Sequence, residues 1–172
     1  MGLREKLIGK PVAGSIIAGL MLVVAAILLA RAYWPESKAD LSRAYYTTDD
    51  GKTWFADSAY LVPPFDHRGQ TAVIARVYSY ADGSKSFCAY LAKFSPEAKV
   101  QLESAQAEAK QKGQPPGTVS LYSDPQFLRK GTLVKKPGAP DSAWLSQDDP
   151  KAVEVMSVRS PDGSALDEAF VH

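Results

Sequence analysis

Asp66, His67 and Arg68 form a dense group of ionisable side chains directly after Pro63-Pro64-Phe65. A carboxylate beside a histidine can orient the imidazole as a general base. Adjacent residues of an extended chain point to opposite sides, however, and the sequence ties no serine or cysteine nucleophile to this histidine. We therefore interpret Phe65, Asp66, His67 and Arg68 as a contact surface for a partner or ligand. An enzyme of unrecognised class that uses Asp66 and His67 is the alternative.

Cys88 is the only cysteine of the sequence, and His172, at the terminus, is the only histidine besides His67. A single cysteine excludes an intramolecular disulfide framework and a multi-cysteine metal site, and a histidine zinc site would need the chain end. Cys88 lies between Phe87 and Ala89 in a predicted strand, which favours a small buried side chain. Nucleotide-binding, hydrolase and thioredoxin-like motifs are absent from the sequence. We expect no catalytic site, no metal and no cofactor.

A second polar group, Thr47, Asp49, Gly51, Thr53 and Trp54, resembles the Asp-box pattern S/T-x-D-x-G-x-T-W of sialidase propeller blades. The carboxylate and the hydroxyls can bond N–H groups of a turn, and glycine allows a positive φ. We expect a structural hairpin whose tryptophan is anchored on the core. Propellers repeat the box in successive blades, whereas this chain carries one copy, so the box predicts no sialidase chemistry.

Alternating aromatic and β-branched residues predict the strands that position these groups. An Asp-Gly turn between two such arms indicates a first hairpin, and a second hairpin is expected at the centre of the sheet. The predicted elements are strands 44–48 and 52–55, a proline-broken loop over 60–69, strand 71–80, a turn at Asp82-Gly83 and strand 85–93.

Ser95-Pro96-Glu97 combines an N-cap residue, a first-turn proline and an early acid, which predicts a helix that ends near Gly113. Proline and glycine punctuate 114–140, which favours loop, with a short edge strand at 132–135. Alternation predicts a last strand over 152–158.

The sequence ends with a predicted turn at Pro161-Asp162-Gly163 and a tail of nine residues. Together the elements predict an α+β fold in which a small antiparallel sheet packs against one helix.

Residues 11–30 carry no charge and would rise about 30 Å as a helix, the thickness of the hydrocarbon core of a bilayer. Tyr33 and Trp34 follow at positions suited to the membrane interface. We predict one N-terminal transmembrane helix over 11–32, after a cytoplasmic leader 1–10. A tether 33–42 then leads to the α+β domain 43–172 outside the cytoplasm.

Two alternatives compete with a retained anchor. Ala30-Arg31-Ala32 has the A-x-A form of a signal-peptide cleavage site, although the apolar stretch is longer than a usual signal core. A buried soluble helix is the other alternative.

The charge balance argues against nucleic acid as the main partner. Four of the 20 basic residues and one of the 19 acidic residues precede residue 33, which leaves 16 against 18 in the body. Phosphate binding needs a basic face. The lipid bilayer and other membrane-protein subunits are the expected partners.

Five segments together resemble a family of single-span proteins of planctomycete-type bacteria: YYTTDDGKTWF, VPPFDHRGQTAVIARVY, FCAYLAKFSPEAK, VKKPG and VRSPDGS. The resemblance implies an anchor followed by a domain, and it implies no activity and no site residues. We expect a non-enzymatic envelope protein of the bacterial inner membrane, an accessory or structural subunit whose periplasmic domain docks onto a membrane complex. The alternative is a small-ligand or glycan binding module with Trp54, Phe65 and Tyr60 as an aromatic platform.

Overall fold

A computed structural model describes residues 23–25, 41–80, 85–160 and 165–171. The chain divides into two compact units, residues 1–38 and 39–172, and the fold below belongs to the second. Residues 23–25 are helical. Within the described ranges, no helix is both long enough and apolar enough to cross a bilayer.

Several predictions fall on residues outside the described ranges. They are the leader, the transmembrane helix apart from 23–25, the possible cleavage site, the tether up to residue 40, and the turns at Asp82-Gly83 and Pro161-Asp162-Gly163.

The second unit has an antiparallel sheet and short helices, so the predicted α+β class is confirmed. Its described strands are β1 Arg43–Thr47, β2 Phe55–Ser58, β3 Phe65–His67, β4 Gln70–Tyr80, β5 Ser86–Phe94, β6 Thr132–Lys135, β7 Leu145–Ser146 and β8 Leu166–Glu168. The described helices are α1 Pro96–Gln111, α2 Pro125–Gly131 and α3 Ala152–Met156.

The long strand β4 organises the sheet. On one side it pairs with β5, which confirms the predicted central hairpin. On its other side three short strands follow one another: β3 pairs with residues 70–72, β1 with 73–74 and β8 with 78–80. The order across the sheet is β2-β1-β4-β5-β6-β7.

The predicted helix is confirmed as α1. The Ser95 hydroxyl accepts a hydrogen bond from Ala98 N, as an N-cap residue does, and α1 buries Leu102 completely. Leu102 packs with Val62 and Phe94 in one cluster of the core. The helix therefore covers one sheet face, beside the loop that leads into β3.

The expectation of mostly loop over 114–140 is wrong for residues 125–131, which form α2. Asp124 caps this helix by accepting from Gln126 N and Phe127 N, and Pro125 occupies its first turn. The predicted strand at 132–135 is confirmed as β6, but β7 pairs with it, so it is not the edge.

The last predicted strand is also wrong, because residues 152–156 form helix α3. Ala152 is fully buried and Val155 and Met156 pack near it, which is helical rather than alternating spacing. The expected tail is wrong as well. Residues 166–168 form β8 against β4, and Val171 is buried.

Candidate functional site

A tight hairpin carries the ionisable group that the sequence singled out. The prediction of a loop over 60–69 is wrong for Phe65–His67, which form β3 and pair with the start of β4. Arg68 and Gly69 make the turn, with φ values of 56° and 82°. Both central residues of such two-residue hairpins need positive φ, a conformation that favours glycine or asparagine over arginine.

The acidic and basic side chains of this turn are exposed. Asp66 Oδ1 accepts a hydrogen bond from Gly69 N at 3.3 Å, which braces the turn. Arg68 has no hydrogen bond or ion pair within the part of the chain that the structure describes. The hairpin therefore fixes the backbone of Arg68 without using its guanidinium in the described part of the fold.

Phe65 and His67, the aromatic residues of β3, point to the side of the strand opposite Asp66. They form an aromatic cluster with Tyr46 and Phe55. Phe65 packs edge-on against Tyr46 with ring centroids 5.1 Å apart, and His67 stacks on Phe55 at 4.0 Å. Tyr46 is 1% exposed and forms the centre of the cluster. His67 is thus half-buried, because the phenyl ring covers one of its faces.

An open depression lies beside this stack. It is lined by Thr48, Phe55, Ala56, Asp57, His67, Arg68 and Gln70. Among the described residues, no carboxylate lies within hydrogen-bond distance of the His67 imidazole. Asp66 and His67 are neighbours in sequence, but their side chains are not in contact. The Asp66 side chain faces the turn, and the His67 side chain faces Phe55.

Strand β2 borders the depression and forms one end of the sheet. Ala59 N donates to Ser42 O, and these two residues are opposite each other when the register of β1 and β2 is continued. In an antiparallel pair, every second residue directs its N–H and C=O away from the partner strand. The backbone groups of Ala56 and Ser58 therefore face outward from the sheet.

Side chains form hydrogen bonds with most of these outward-facing backbone groups of β2. Arg43 Nη2 donates to Ala56 O at 3.0 Å, and Tyr46 Oη donates to Ser58 O at 2.8 Å. Asp57 Oδ1 accepts from Ser58 N at 2.7 Å. Because its edge groups already have partners, β2 is a poor template for an added strand.

The predicted first hairpin is confirmed in part, because β1 pairs with β2, but the strand predicted over 52–55 is wrong for residues 52–54. These residues belong to the Asp-box-like segment, residues 47–54, which forms a loop held together by its own side chains. Thr47 Oγ1 donates to Asp49 Oδ1 at 2.8 Å and accepts from Gly51 N at 3.0 Å. The Asp49 carboxylate accepts from Thr53 N at 2.9 Å and from Thr53 Oγ1 at 2.7 Å. These bonds from Thr53, led by its backbone N–H, lower the pKa of Asp49 to about 2.

The same loop is packed against the rest of the domain. Gly51 has a φ of 83°, and a Cβ added there would lie 2.9 Å from Cys88 Sγ. Asp50, with a φ of 62°, accepts from Gly138 N and contacts Lys135 Nζ at 2.9 Å. Trp54 is half-buried rather than fully anchored in the core.

Cys88 is half-buried under this loop, and its Sγ donates to Tyr90 O at 3.5 Å. Burial raises the pKa of its thiol to about 11. A thiol with a raised pKa stays protonated at neutral pH, so this position is unsuited to nucleophilic chemistry.

Sequence reasoning missed a buried lysine. Lys135 is 5% exposed and contacts the Asp50 and Asp141 carboxylates at 2.9 Å and 3.5 Å. Its ammonium also lies 5.3 Å from the centre of the Trp144 ring, which stabilises the cation further. Asp50 and Lys135 are far apart in the chain, so no local pattern signals the pair.

The three residues of the suggested aromatic platform have different neighbours. Tyr60 packs edge-on against Tyr122, and Phe65 packs against Tyr46. Trp54 stays in the Asp-box-like loop. Over the described ranges, no group of three or more histidine, cysteine or acidic residues could hold a metal ion.

Comparison with known proteins adds no further information on the site. No family model matches the chain, and neither the curated proteins nor the solved structures give a significant match.

Proposed function

We propose that the chain is a non-enzymatic, membrane-anchored accessory protein whose folded domain docks onto a partner protein. The contact surface comprises Asp66, His67 and Arg68 on the β3–β4 hairpin, together with Asp57 on the facing strand. The lipid bilayer is the second partner, through residues 11–32. The domain lies on the periplasmic side of a bacterial inner membrane.

The observation that carries this proposal is the backbone of Arg68. A non-glycine residue with positive φ costs about 1–2 kcal/mol, and such strain concentrates where function requires it. Arg68 adopts this conformation although its side chain contributes no hydrogen bond or ion pair to the described part of the fold. A guanidinium presented in this way suits a carboxylate or a carbonyl group on a partner.

Two further features favour docking over catalysis. The depression beside His67 is open to solvent, and the imidazole is stacked on Phe55 rather than oriented by an acid. A general base needs an acceptor that orients it and a reacting proton within hydrogen-bond reach. The blocked edge of β2 also favours recognition by side chains over strand addition.

Partner capture tests the docking proposal. The native, detergent-solubilised protein is purified, and the proteins that come with it are identified by mass spectrometry. The Arg68→Glu variant, which reverses the charge of the turn, is expected to lose its main partner and to keep the melting temperature of the native protein. Arg159→Glu, an exposed arginine outside the hairpin, is the control and should retain the partner. Equal capture by both variants would contradict the proposal.

N-terminal sequencing of the protein from membranes tests the anchor. A retained helix predicts a start at or near Met1, because the twenty uncharged residues then stay in the bilayer. A mature start at Tyr33 would show cleavage after Ala32 and would remove the anchor from the proposal.

A further inference from the structure

Strand β5 has a free edge over the first half of its length. Its pairing with β6 begins at Leu91, and within the described ranges no strand lies beside residues 86–90 on that side. A free strand edge presents backbone N–H and C=O groups that can pair with another extended chain. The edge of β5 therefore differs from the edge of β2, where side chains already bond the outward groups.

The backbone groups at this free edge follow from the pairing of β4. Val77 O accepts a hydrogen bond from the residue that follows β8, so the backbone groups of Val77 face β8 and those of Tyr78 face β5. Phe87, opposite Tyr78, directs its own N–H and C=O towards β4. The N–H and C=O groups of the two flanking residues, Ser86 and Cys88, therefore face the free edge. They have no side-chain partner within the described part of the chain.

A groove of about 780 Å³ runs along this edge, which is within the range of binding pockets, roughly 300–1,000 Å³. Residues 87–89 of β5 form one of its walls. Helix α3 and residues 157–159 form the opposite wall, where Val153 is 61% exposed. The free edge thus lies in a concave site that offers apolar contacts as well as backbone groups.

Lys136 gives the groove its net positive charge. Glu154 and Arg159 also line the groove, and their opposite charges cancel. Lys136 Nζ lies 3.5 Å from both Ala89 O and Ser157 O, which is long for an N–H···O hydrogen bond. Among the described residues, no carboxylate pairs with this ammonium. The ammonium is therefore available to a carboxylate on a bound chain.

We propose that this groove binds an extended acidic peptide segment of a partner protein, which adds a strand to the free edge of β5. Backbone hydrogen bonds to Ser86 and Cys88 hold the segment, and one of its carboxylates pairs with Lys136. A second copy of the chain fits this edge less well, because a two-fold contact would place two grooves of the same charge against each other. None of the groove residues belongs to the docking surface on the β3–β4 hairpin, so either proposal can fail without the other.

Fluorescence anisotropy of a labelled peptide, Thr-Val-Glu-Val-Glu-Val-Thr, with the detergent-solubilised full-length chain tests this binding. Two matched peptides serve as controls. One carries lysine in place of both glutamates, and the other is N-methylated at its three central amides, so that these amides cannot donate to a strand edge. We expect saturable binding of the acidic peptide and at least about tenfold weaker binding of both controls.

Three variants of the chain sharpen the test. Lys136→Glu is expected to weaken binding of the acidic peptide about tenfold or more and to strengthen binding of the lysine peptide. Lys130→Glu, which changes an exposed lysine outside the groove, should bind all three peptides like the native chain. Val153→Trp fills the groove and should abolish saturable binding of the acidic peptide.

The native chain and the three peptides give a result even if Lys136→Glu does not fold. Equal affinity for the acidic and the N-methylated peptides would overturn the proposal, and so would unchanged binding by folded Lys136→Glu. An absence of saturable binding at millimolar peptide would also overturn it. So would a dimer in sedimentation that Val153→Trp dissociates, found without peptide binding, because the edge would then belong to a second copy.

Discussion

Two turns of this domain share the same unusual backbone. Asp50-Gly51 and Arg68-Gly69 each place a non-glycine residue and then a glycine at positive φ, with values of 62° and 83° in the first turn and 56° and 82° in the second. The backbone alone therefore does not distinguish them. The difference between them lies in what the side chains contact.

In the first turn, both residues are packed against other parts of the domain. Asp50 contacts the buried ammonium of Lys135, and Gly51 leaves no room for a Cβ against Cys88. In the second turn Arg68 has no described partner, and Gly69 has open space around it. Polar groups that are bonded within the fold stabilise it, whereas a strained polar residue without such bonds is available to a partner.

The largest predicted difference concerns the two glycines. Gly51→Ala combines an unfavourable φ with overpacking against Cys88 and should cost about 2–4 kcal/mol of unfolding free energy. Gly69→Ala meets only the unfavourable φ and should cost about 1 kcal/mol. Urea unfolding of both variants measures the two costs, and equal costs would mean that the first turn is not packed as described.

The next largest difference in unfolding free energy is expected between the aspartates that brace the two turns, Asp49 and Asp66. Asp49→Ala removes the acceptor for the N–H and the hydroxyl of Thr53 and for the hydroxyl of Thr47, and it should cost about 3 kcal/mol, at about 1 kcal/mol for each bond. Asp66→Ala loses one long bond to Gly69 N and should cost about 0.5 kcal/mol. Thermal or urea unfolding measures both, and a larger loss for Asp66→Ala would reverse the comparison.

The sequence predicted the first turn better than the second, because the bonds of the first turn are local. The spacing of Thr47, Asp49 and Thr53 is enough to anticipate their hydrogen bonds. The β3 strand was missed because Pro63-Pro64 suggested a loop. Its pairing with β4 depends on the turn geometry of Arg68, where arginine gives no turn signal.

The other errors also have physical causes. Helix α2 does have a local signal, Asp124-Pro125, which the density of proline and glycine around it obscured. Alternation of valines over 152–158 resembled a strand, but burial of Ala152 against the sheet favours a helix. Strand β8 pairs with residues far earlier in the chain, and no local pattern predicts such pairing.

The Asp-box-like loop should make the unfolding free energy depend on pH in the acidic range. The pKa of Asp49 is about 2 in the folded protein, below its ordinary 3.8, so its contribution is present above about pH 4 and is lost as the pH falls towards 2. Because the carboxylate is largely exposed, we expect about 1 kcal/mol. Urea unfolding between about pH 5 and pH 2.5 should show this loss in the native chain and not in Asp49→Asn. An identical pH slope for the two proteins would refute the assignment.

A small effect on stability is also expected at His67. His67→Ala removes the stack on Phe55 and should cost about 1 kcal/mol, whereas His67→Phe keeps an aromatic stack and should cost less. Differential scanning calorimetry measures both. If His67→Phe kept its stability but lost the partner, the imidazole itself would contact the partner. A cost well above that of an aromatic pair would show that His67 is a core residue instead.

The most direct test replaces the first residue of each turn with asparagine, which tolerates positive φ better than most residues. Melting temperature and partner capture are measured together for Arg68→Asn and Asp50→Asn. We predict that Arg68→Asn melts at or above the native temperature and loses the partner. Asp50→Asn should melt lower, because Lys135 loses a charged partner, and should still capture the partner while folded. Full capture by Arg68→Asn, or loss of capture by Asp50→Asn at an unchanged melting temperature, would contradict the division between a stabilising turn and a recognition turn.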